Sequence, residues 1–349
     1  MKKSKVIISI LFLCMMVSFI GCSSSEDKKK TINFLNYGAN IDEESLELFE
    51  EKYNIAVNEE TFDDMEEMYT KVSSGAVKYD VILVSDNLMG RMIDEGLLQE
   101  LNKDNLPNLK EMDSTYMDLD IDKGNKYSVP YMFGTVGIIY NTDYVDDPVD
   151  SWDILWNEKY KGEIFMFDTY RDTMGAALKK LGYSMNSTDE SEINAARDLL
   201  IEQKPLVEIY GVDIGTETIA SGDTYINMIW SGEGLNLEAE YDNLKYIVPK
   251  EGANFWIDSL CIPSNSENKE DAEKLINFLS GKDAQYRIAD EIGYVTPNKL
   301  ARAMQPDNVK NNPNAYYDQE FLNKCEMYKD LDKKTKELYD EAWNEIKSK

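Results

Sequence analysis

The sequence predicts an α/β fold of two lobes separated by a cleft and joined by crossover segments. Three observations carry that prediction. The chain is 349 residues long, more than one hydrophobic core usually spans. Apolar strand-like runs alternate with amphipathic helical runs, the rhythm of βαβ units with a mainly parallel sheet. After the second such unit the apolar run FWIDSLCIP at 255–263 reads as a return to the first, so the lobes exchange segments.

Each element has a local reason. TINFLNY at 31–37 reads as a strand. Asp42 then offers an N-cap, Glu43 and Glu44 suit the positive end of a helix dipole, and EESLELFEEKY sets Leu46, Phe49 and Tyr53 on one face. IAVNEETF follows as a strand, then a helix over 63–75 and the buried-strand run YDVILVS at 79–85. LMGRMIDEGLL reads as helical to about Leu98. The second unit begins after VPYMFGTVGIIYN (129–141), with helices near 172–182 and over 189–203 and strands within TYINMIWSG and LKYIVPK. After the return, NKEDAEKLINFLSGK predicts a helix capped by Asn268, with Ala272, Leu275, Ile276 and Leu279 buried and Gly281 as the stop. The expected lobes are 31–135 with 257–302, and 136–256 with 303–349. A cleft between such lobes is a natural ligand site that closes by hinge motion.

Composition removes whole classes of chemistry. The chain has no histidine, which excludes Ser-His-Asp and Cys-His catalysis and His-ligated zinc. Its net charge of −29 argues against nucleic acid and permits a cationic ligand. Cys261, in the apolar run SLCIP, reads as a small buried hydrophobe, and pairing with Cys325 stays open.

Ahead of the first strand, residues 1–22 read MKKSKVIISILFLCMMVSFIGC. Lys2, Lys3 and Lys5 precede an apolar run from Val6 to Ile20 that is too short and wrongly flanked for an ordinary membrane span, and Gly21 stands directly before Cys22. This resembles a bacterial lipoprotein signal over 1–21. The resemblance implies that Cys22 is acylated and becomes the mature N-terminus, with a tether over 22–30 that includes SSSEDKKK. A plain signal peptide with an accidental cysteine is the competing reading, and Cys14, behind bulky Leu13, is the poorer acceptor. The expected location is extracytoplasmic, on the cell membrane through the lipid, and in the periplasmic space if the cell is Gram-negative.

INFLNY, YDVILVS, YSVPY, GTVGIIYN, SWDILWNEKYKG, DTYRDTMGAALKKLGYS, INMIWSGEG, PKEGANFWIDSLCIP and EIGYVTPN occur in the order and spacing of the spermidine/putrescine-binding proteins of bacterial polyamine ABC importers. The resemblance covers 31–349. It implies a type II periplasmic-binding-protein-like fold, a polyamine ligand, docking on the permease subunits of an ABC transporter, no cofactor, no metal and no enzymatic activity. A monomer is expected. The chemistry of the residues agrees, because a polyamine needs carboxylates at intervals and flat apolar walls between them.

Carried over residue by residue, the resemblance makes Asp258 an amine-binding carboxylate with Trp256 as the wall beside it. Asp172 stands where spermidine binders carry glutamate, with Asp168 as the neighbouring candidate. Trp230 and Tyr294 match further walls, Ser85 matches the serine of the first lobe, and Tyr37 keeps a flat ring where tryptophan is usual. Glu233 falls where putrescine binders carry a carboxylate. Ala39 and Asn40 replace an acid and a ring, and Asn87 replaces an aromatic, so one amine subsite is built differently.

Each candidate also has a plain structural reading. Trp230 and Trp256 fit core positions, Asp172 fits a dipole-favoured first turn, and Asp86 and Glu66–Glu67 fit solvated surface charges. Asp258 differs, since a carboxylate buried between apolar residues needs a partner. Two other functions compete: a carboxylate-pair hydrolase using Asp172 and Asp258, and a receptor for another cation such as a choline-like ligand or cationic peptide. The Tyr316–Tyr317 pair suits a ferric-ion receptor only with histidine or an anion site beside it.

Overall fold

The structure is a computed structural model that describes residues 29–38 and 40–349; Cys22, most of the expected tether and Ala39 lie outside the described residues. Among the described residues there are nine strands: β1 (Lys30–Tyr37), β2 (Ile55–Phe62), β3 (Val81–Ser85), β4 (Ser128–Asn141), β5 (Ile164–Phe167), β6 (Val207–Gly211), β7 (Ile226–Trp230), β8 (Leu244–Ile247) and β9 (Phe255–Cys261). They run in the order β2-β1-β3-β9-β4-β7-β5-β6, with β8 also on β4. Both wings are parallel, β1 with β2 and β3, and β5 with β6 and β7. The central strands β9 and β4 pair antiparallel with their neighbours. The wings follow from helical crossovers, whereas β9 re-enters from the other lobe and needs no crossover direction.

β4 joins the two lobes. Its 14 residues pair with β9 through Thr135 and with β7 from Val136 onward, so one strand belongs to both halves. The register shifts between Pro130 and Met132, where proline has no N–H for the ladder. One core packs Phe34, Phe49, Leu83, Leu260, Ala272, Leu275, Ile276 and Leu279 together. A second gathers Trp152, Phe165, Phe167 and Met228. The C-terminal helix Lys333–Ser348 lays Tyr339, Ala342 and Ile346 against Leu178, Ile193 and Leu200 of the second lobe.

Local chemistry explains both the matches and the departures. Asp42 caps the helix Glu43–Tyr53 by accepting from the Ser45 N–H, and Phe49 is buried with Leu46 and Tyr53 beside it. The helix after β3 runs over Asp86–Asp94 and stops short of Leu98, because Gly96 turns left-handed at φ 68° and Leu97 N–H bonds back to the Met92 carbonyl. The helix expected near 172–182 begins earlier, at Tyr170, since Thr169 is extended. Asn268 stands at the start of the helix Lys269–Leu279 without capping it, its amide donating instead to Asp80. Gly281 has φ −72° and stands as the N-cap of the next helix, Lys282–Ile292; the first ends at Leu279 with Ser280 as its C-cap. β1 starts inside the segment read as tether, because Lys30 reaches Asp271 at 2.6 Å. Cys261 is buried, Cys325 is partly exposed, and both are free thiols.

The lobe junction is tightly packed. A Cβ on Gly134 would stand 2.5 Å from the Trp256 ring and 2.6 Å from Ser231 Oγ. Gly134→Ala should therefore lower stability by about 1–3 kcal/mol, the usual range for overpacking. Urea denaturation should show an earlier midpoint; an unchanged midpoint would mean the junction relaxes freely.

Candidate functional site

Ligands of open α/β sheets bind beyond the carboxyl ends of the strands. Here β1 ends at Tyr37, β3 at Ser85 and β7 at Trp230, while Asp168 directly follows β5. The strand ends thus collect four sequence candidates at the opening between the lobes. Asp258 and Trp256 come from β9, two residues apart and on one face.

Asp258 is the centre of this arrangement. Its register partner across the β3–β9 ladder is Ser85, whose hydroxyl donates to Asp258 Oδ1. The side chain is only 5% exposed. Burial pushes the carboxyl up to about 6, with the Ser85 bond pulling the other way. The Trp256 ring meets Tyr294 edge-on at 5.1 Å, and its Nε1 is buried without a partner. Tyr294 in turn lies under Gly232, where an added Cβ would come within 2.5 Å of the ring.

Glu233 sits in the first turn of the helix Ser231–Glu240. Burial, and then the charge of Asp213, push its carboxyl up to about 7. The Tyr294 hydroxyl, raised chiefly by burial, also registers the charges of Glu233 and Asp258. Tyr37, 36% exposed and edge-on to Phe62 at 5.3 Å, registers Asp258 and Asp213 after its own burial. Trp230 lies against Phe167 at 4.5 Å, one residue before the helix that carries Glu233. Tyr37, Ser85, Trp256, Asp258, Tyr294 and Glu233 therefore form one acidic, aromatic neighbourhood, with Trp230 at its edge.

The other two acids have partners of their own. Asp168 is bound by Lys347 of the C-terminal helix at 2.6 Å. Asp172, in the first turn of Tyr170–Lys180, accepts from Thr169 Oγ1 at 2.6 Å and from Tyr328 OH at 3.0 Å. Burial raises its carboxyl and those two donors oppose the rise. Asp258 does not register among the charges acting on Asp172, nor Asp172 among those acting on Asp258. Asp86 departs from its reading as a solvated surface charge: it is 3% exposed and accepts from the Ile257 N–H at 3.2 Å. Asp213 and Tyr328 went unread. Asp213 follows the end of β6, a strand the sequence pattern does not mark, and Tyr328 is 156 residues from the acid it binds.

Among the described residues no group of three or more Cys, Asp or Glu is placed to hold a metal ion. Likewise, no helix among them is long and apolar enough to cross a membrane. Asp258 and Glu233 register no Lys or Arg, and with the aromatic faces beside them they favour a cation, so the two-lobe fold and this cleft define a solute receptor. The chain belongs to the bacterial extracellular solute-binding proteins, whose family model matches residues 44–316. It is 35% identical over 334 residues to the spermidine/putrescine-binding periplasmic protein of Escherichia coli K12, covering 94% of this chain and 95% of that protein. The spermidine/putrescine ABC transporter substrate-binding protein PotD of Streptococcus pneumoniae has a similar structure, with a TM-score of 0.86 and 33% identity over 91% of this chain and 99% of its own. The TpPotD lipoprotein of Treponema pallidum gives a TM-score of 0.81 at 25% identity, over 91% and 99% of the two chains.

The raised carboxyls set the pH response of the empty protein. Asp258, Glu233 and Asp86 have folded values of about 6, 7 and 8, above the ordinary carboxylate range, so the native state holds more protons than the unfolded chain over that window. Their contribution is complete below the unfolded value and is lost as pH rises through 6 to 8. Without ligand, the melting temperature should fall from pH 5.5 to pH 8, and Asp258→Asn should flatten that slope; a flat wild-type profile would contradict the assignment.

Proposed function

We propose that the protein is an extracytoplasmic receptor for polyamines, spermidine or putrescine, that hands its ligand to the permease of an ABC importer. One observation carries the reading: Asp258 is buried, bonded by one hydroxyl, and flanked by Trp256 and Tyr294 without a cation. A bound ammonium supplies the missing partner, at about 1.5–3 kcal/mol per charge-assisted bond and ~0.5–2 for each aromatic face. Two such subsites suffice for a micromolar complex of ~8 kcal/mol once ordering costs are offset. The spermidine/putrescine-binding relatives support the same ligand class.

The ligand-binding set in this reading is Tyr37, Ser85, Trp230, Glu233, Trp256, Asp258 and Tyr294, with Asp172 as an acid already engaged and Asp168 as a surface acid. The lobes are 31–135 with 257–302 and 136–256 with 303–349, hinged where β4 changes partner after Thr135. The protein acts as a monomer and catalyses no reaction. A carboxylate-pair hydrolase is disfavoured because Asp172 has two neutral donors of its own and does not register the charge of Asp258.

Titration calorimetry with spermidine and putrescine tests the reading. Asp258→Asn should weaken both ligands at least roughly tenfold in a folded protein, as expected for loss of a charge-assisted bond. Unchanged affinity would sink the proposal. Glu233→Gln should weaken putrescine more than spermidine, because a diamine loses a larger share of its contacts with each acid removed. Equal weakening would reduce Glu233 to a general field effect.

The lipid anchor rests on Cys22, outside the described residues, and a lipoprotein among the structural relatives supports it. Cys22→Ala should abolish incorporation of a fatty-acid analogue. Label retained on the variant would place the anchor elsewhere.

A further inference from the structure

The adjacent tyrosines Tyr316 and Tyr317 are both buried, and the ligand-binding set uses neither. Their hydroxyls go to opposite lobes. Tyr316 is fastened to the first lobe: its hydroxyl donates to Gln305 Oε1 at 2.5 Å and accepts from the Thr296 N–H at 3.4 Å. The Arg302 guanidinium lies 3.9 Å over its ring. Thr296 is held in turn by Gln285 of the helix Lys282–Ile292, at 2.6 Å, and the helix Lys299–Met304 that carries Arg302 packs on that same helix.

Tyr317, the next residue, is fastened to the second lobe. Its hydroxyl donates to the Asn314 carbonyl at 2.8 Å. The Asn314 side chain is tied to β8, donating to the Tyr246 carbonyl at 3.1 Å and accepting from the Val248 N–H at 3.2 Å. The Tyr317 oxygen also stands 2.8 Å from Thr135 Oγ1, which stands 3.0 Å from the Tyr246 hydroxyl. A carbonyl can only accept, so the protons of this chain have one order: Tyr246 donates to Thr135, Thr135 to Tyr317, and Tyr317 to Asn314. Thr135, Tyr246 and Tyr317 are all buried, so a lost hydroxyl leaves its neighbour short of a partner.

Thr135 is the residue at which β4 changes partner. It pairs with Phe255 of β9, while its N–H donates to Ser231 Oγ of the second lobe at 3.2 Å. The hydroxyl chain therefore joins two separate crossings between the lobes, β4 and the segment that leaves the first lobe after Gln305.

We infer that Tyr317 is a positioning residue for ligand binding: through Thr135 it locks this later crossing to β4, one residue beyond the point where Tyr316 fastens the chain to the first lobe. The inference rests on the polyamine reading and its hinge, and deepens it. The crossing set at 302–303 from the sequence then falls between Tyr316 and Tyr317. With the two crossings locked together the lobes turn about one axis, and Asp258 and Glu233 meet across few alternative orientations. With the lock removed a smaller fraction of the molecules is competent to bind, and apparent affinity falls by that fraction for every ligand alike.

Calorimetry on Tyr317→Phe and Thr135→Val tests this. Tyr339→Phe is the control, because Tyr339 is another buried tyrosine, whose hydroxyl donates to the Ser187 carbonyl at 3.0 Å within the second lobe. Tyr317→Phe and Thr135→Val should each weaken spermidine and putrescine by a common factor of about three or more. The double variant should bind no more weakly than the weaker single one, since both changes remove the same bond. Tyr339→Phe should lower the melting temperature and leave both affinities unchanged. In the empty protein, small-angle X-ray scattering should give a larger radius of gyration for Tyr317→Phe than for wild type. Weakening of one polyamine alone, a loss no larger than that of Tyr339→Phe, additive losses in the double variant, or superimposable scattering curves would each overturn the inference. If the wild type binds no polyamine, the functional reading fails by itself, and scattering from the empty protein still decides whether Tyr317 locks the crossings.

Discussion

A carboxylate buried in a strand that joins two lobes makes the mechanics and the chemistry of this protein inseparable. β9 pairs with β3 on one side and β4 on the other, and Asp258 sits within it opposite Ser85. The charge needs a partner that the fold does not provide beyond one hydroxyl. Any cation that supplies it enters beside the junction on which the lobes turn. Trp256 packs against Gly134 of β4, where Ser231 of the helix that carries Glu233 also approaches. In the proposed reading, binding and closure share the same few side chains, as hinge closure around a ligand requires.

Selectivity in such a cleft is a matter of counting charges and spacing them. The acids with raised carboxyls in this neighbourhood are Asp258 in β9 and Glu233 in the helix after β7, with Asp213 close enough to raise the second. Asp168 and Asp172 add acidity at the same strand ends but are bound by Lys347, Thr169 and Tyr328. Tyr37 and the Trp256–Tyr294 pair stand beside Asp258 and Glu233; Tyr37 registers the charge of Asp258, and Tyr294 registers both.

Much of the framework was legible because its causes are local. The Asp42 cap, the face formed by Leu46, Phe49 and Tyr53, and the stripe Ala272, Leu275, Ile276 and Leu279 follow from residues within a few turns of one another. The run FWIDSLCIP reads as a returning strand because its apolar length has no other use, and Asp258 stood out as a charge inside it. What escaped depended on contacts distant in sequence. Asn268 failed as a cap because Asp80 claimed its amide, and the pairing of Asp168 with Lys347 spans most of the second half of the chain. Asp86 read as surface because helix-start acids usually are; only the pairing of β3 with β9 buries it.

The central claim is that Asp258 is a buried acid awaiting a cation, and its own titration tests this most directly. Carbon-13 carboxyl resonances, with Asp258 assigned through Asp258→Asn, are followed across pH in the empty protein and with saturating spermidine. The account predicts a value near 6 in the empty protein that falls below the ordinary carboxylate range when spermidine is bound. A titration of Asp258 that spermidine leaves unmoved would contradict it.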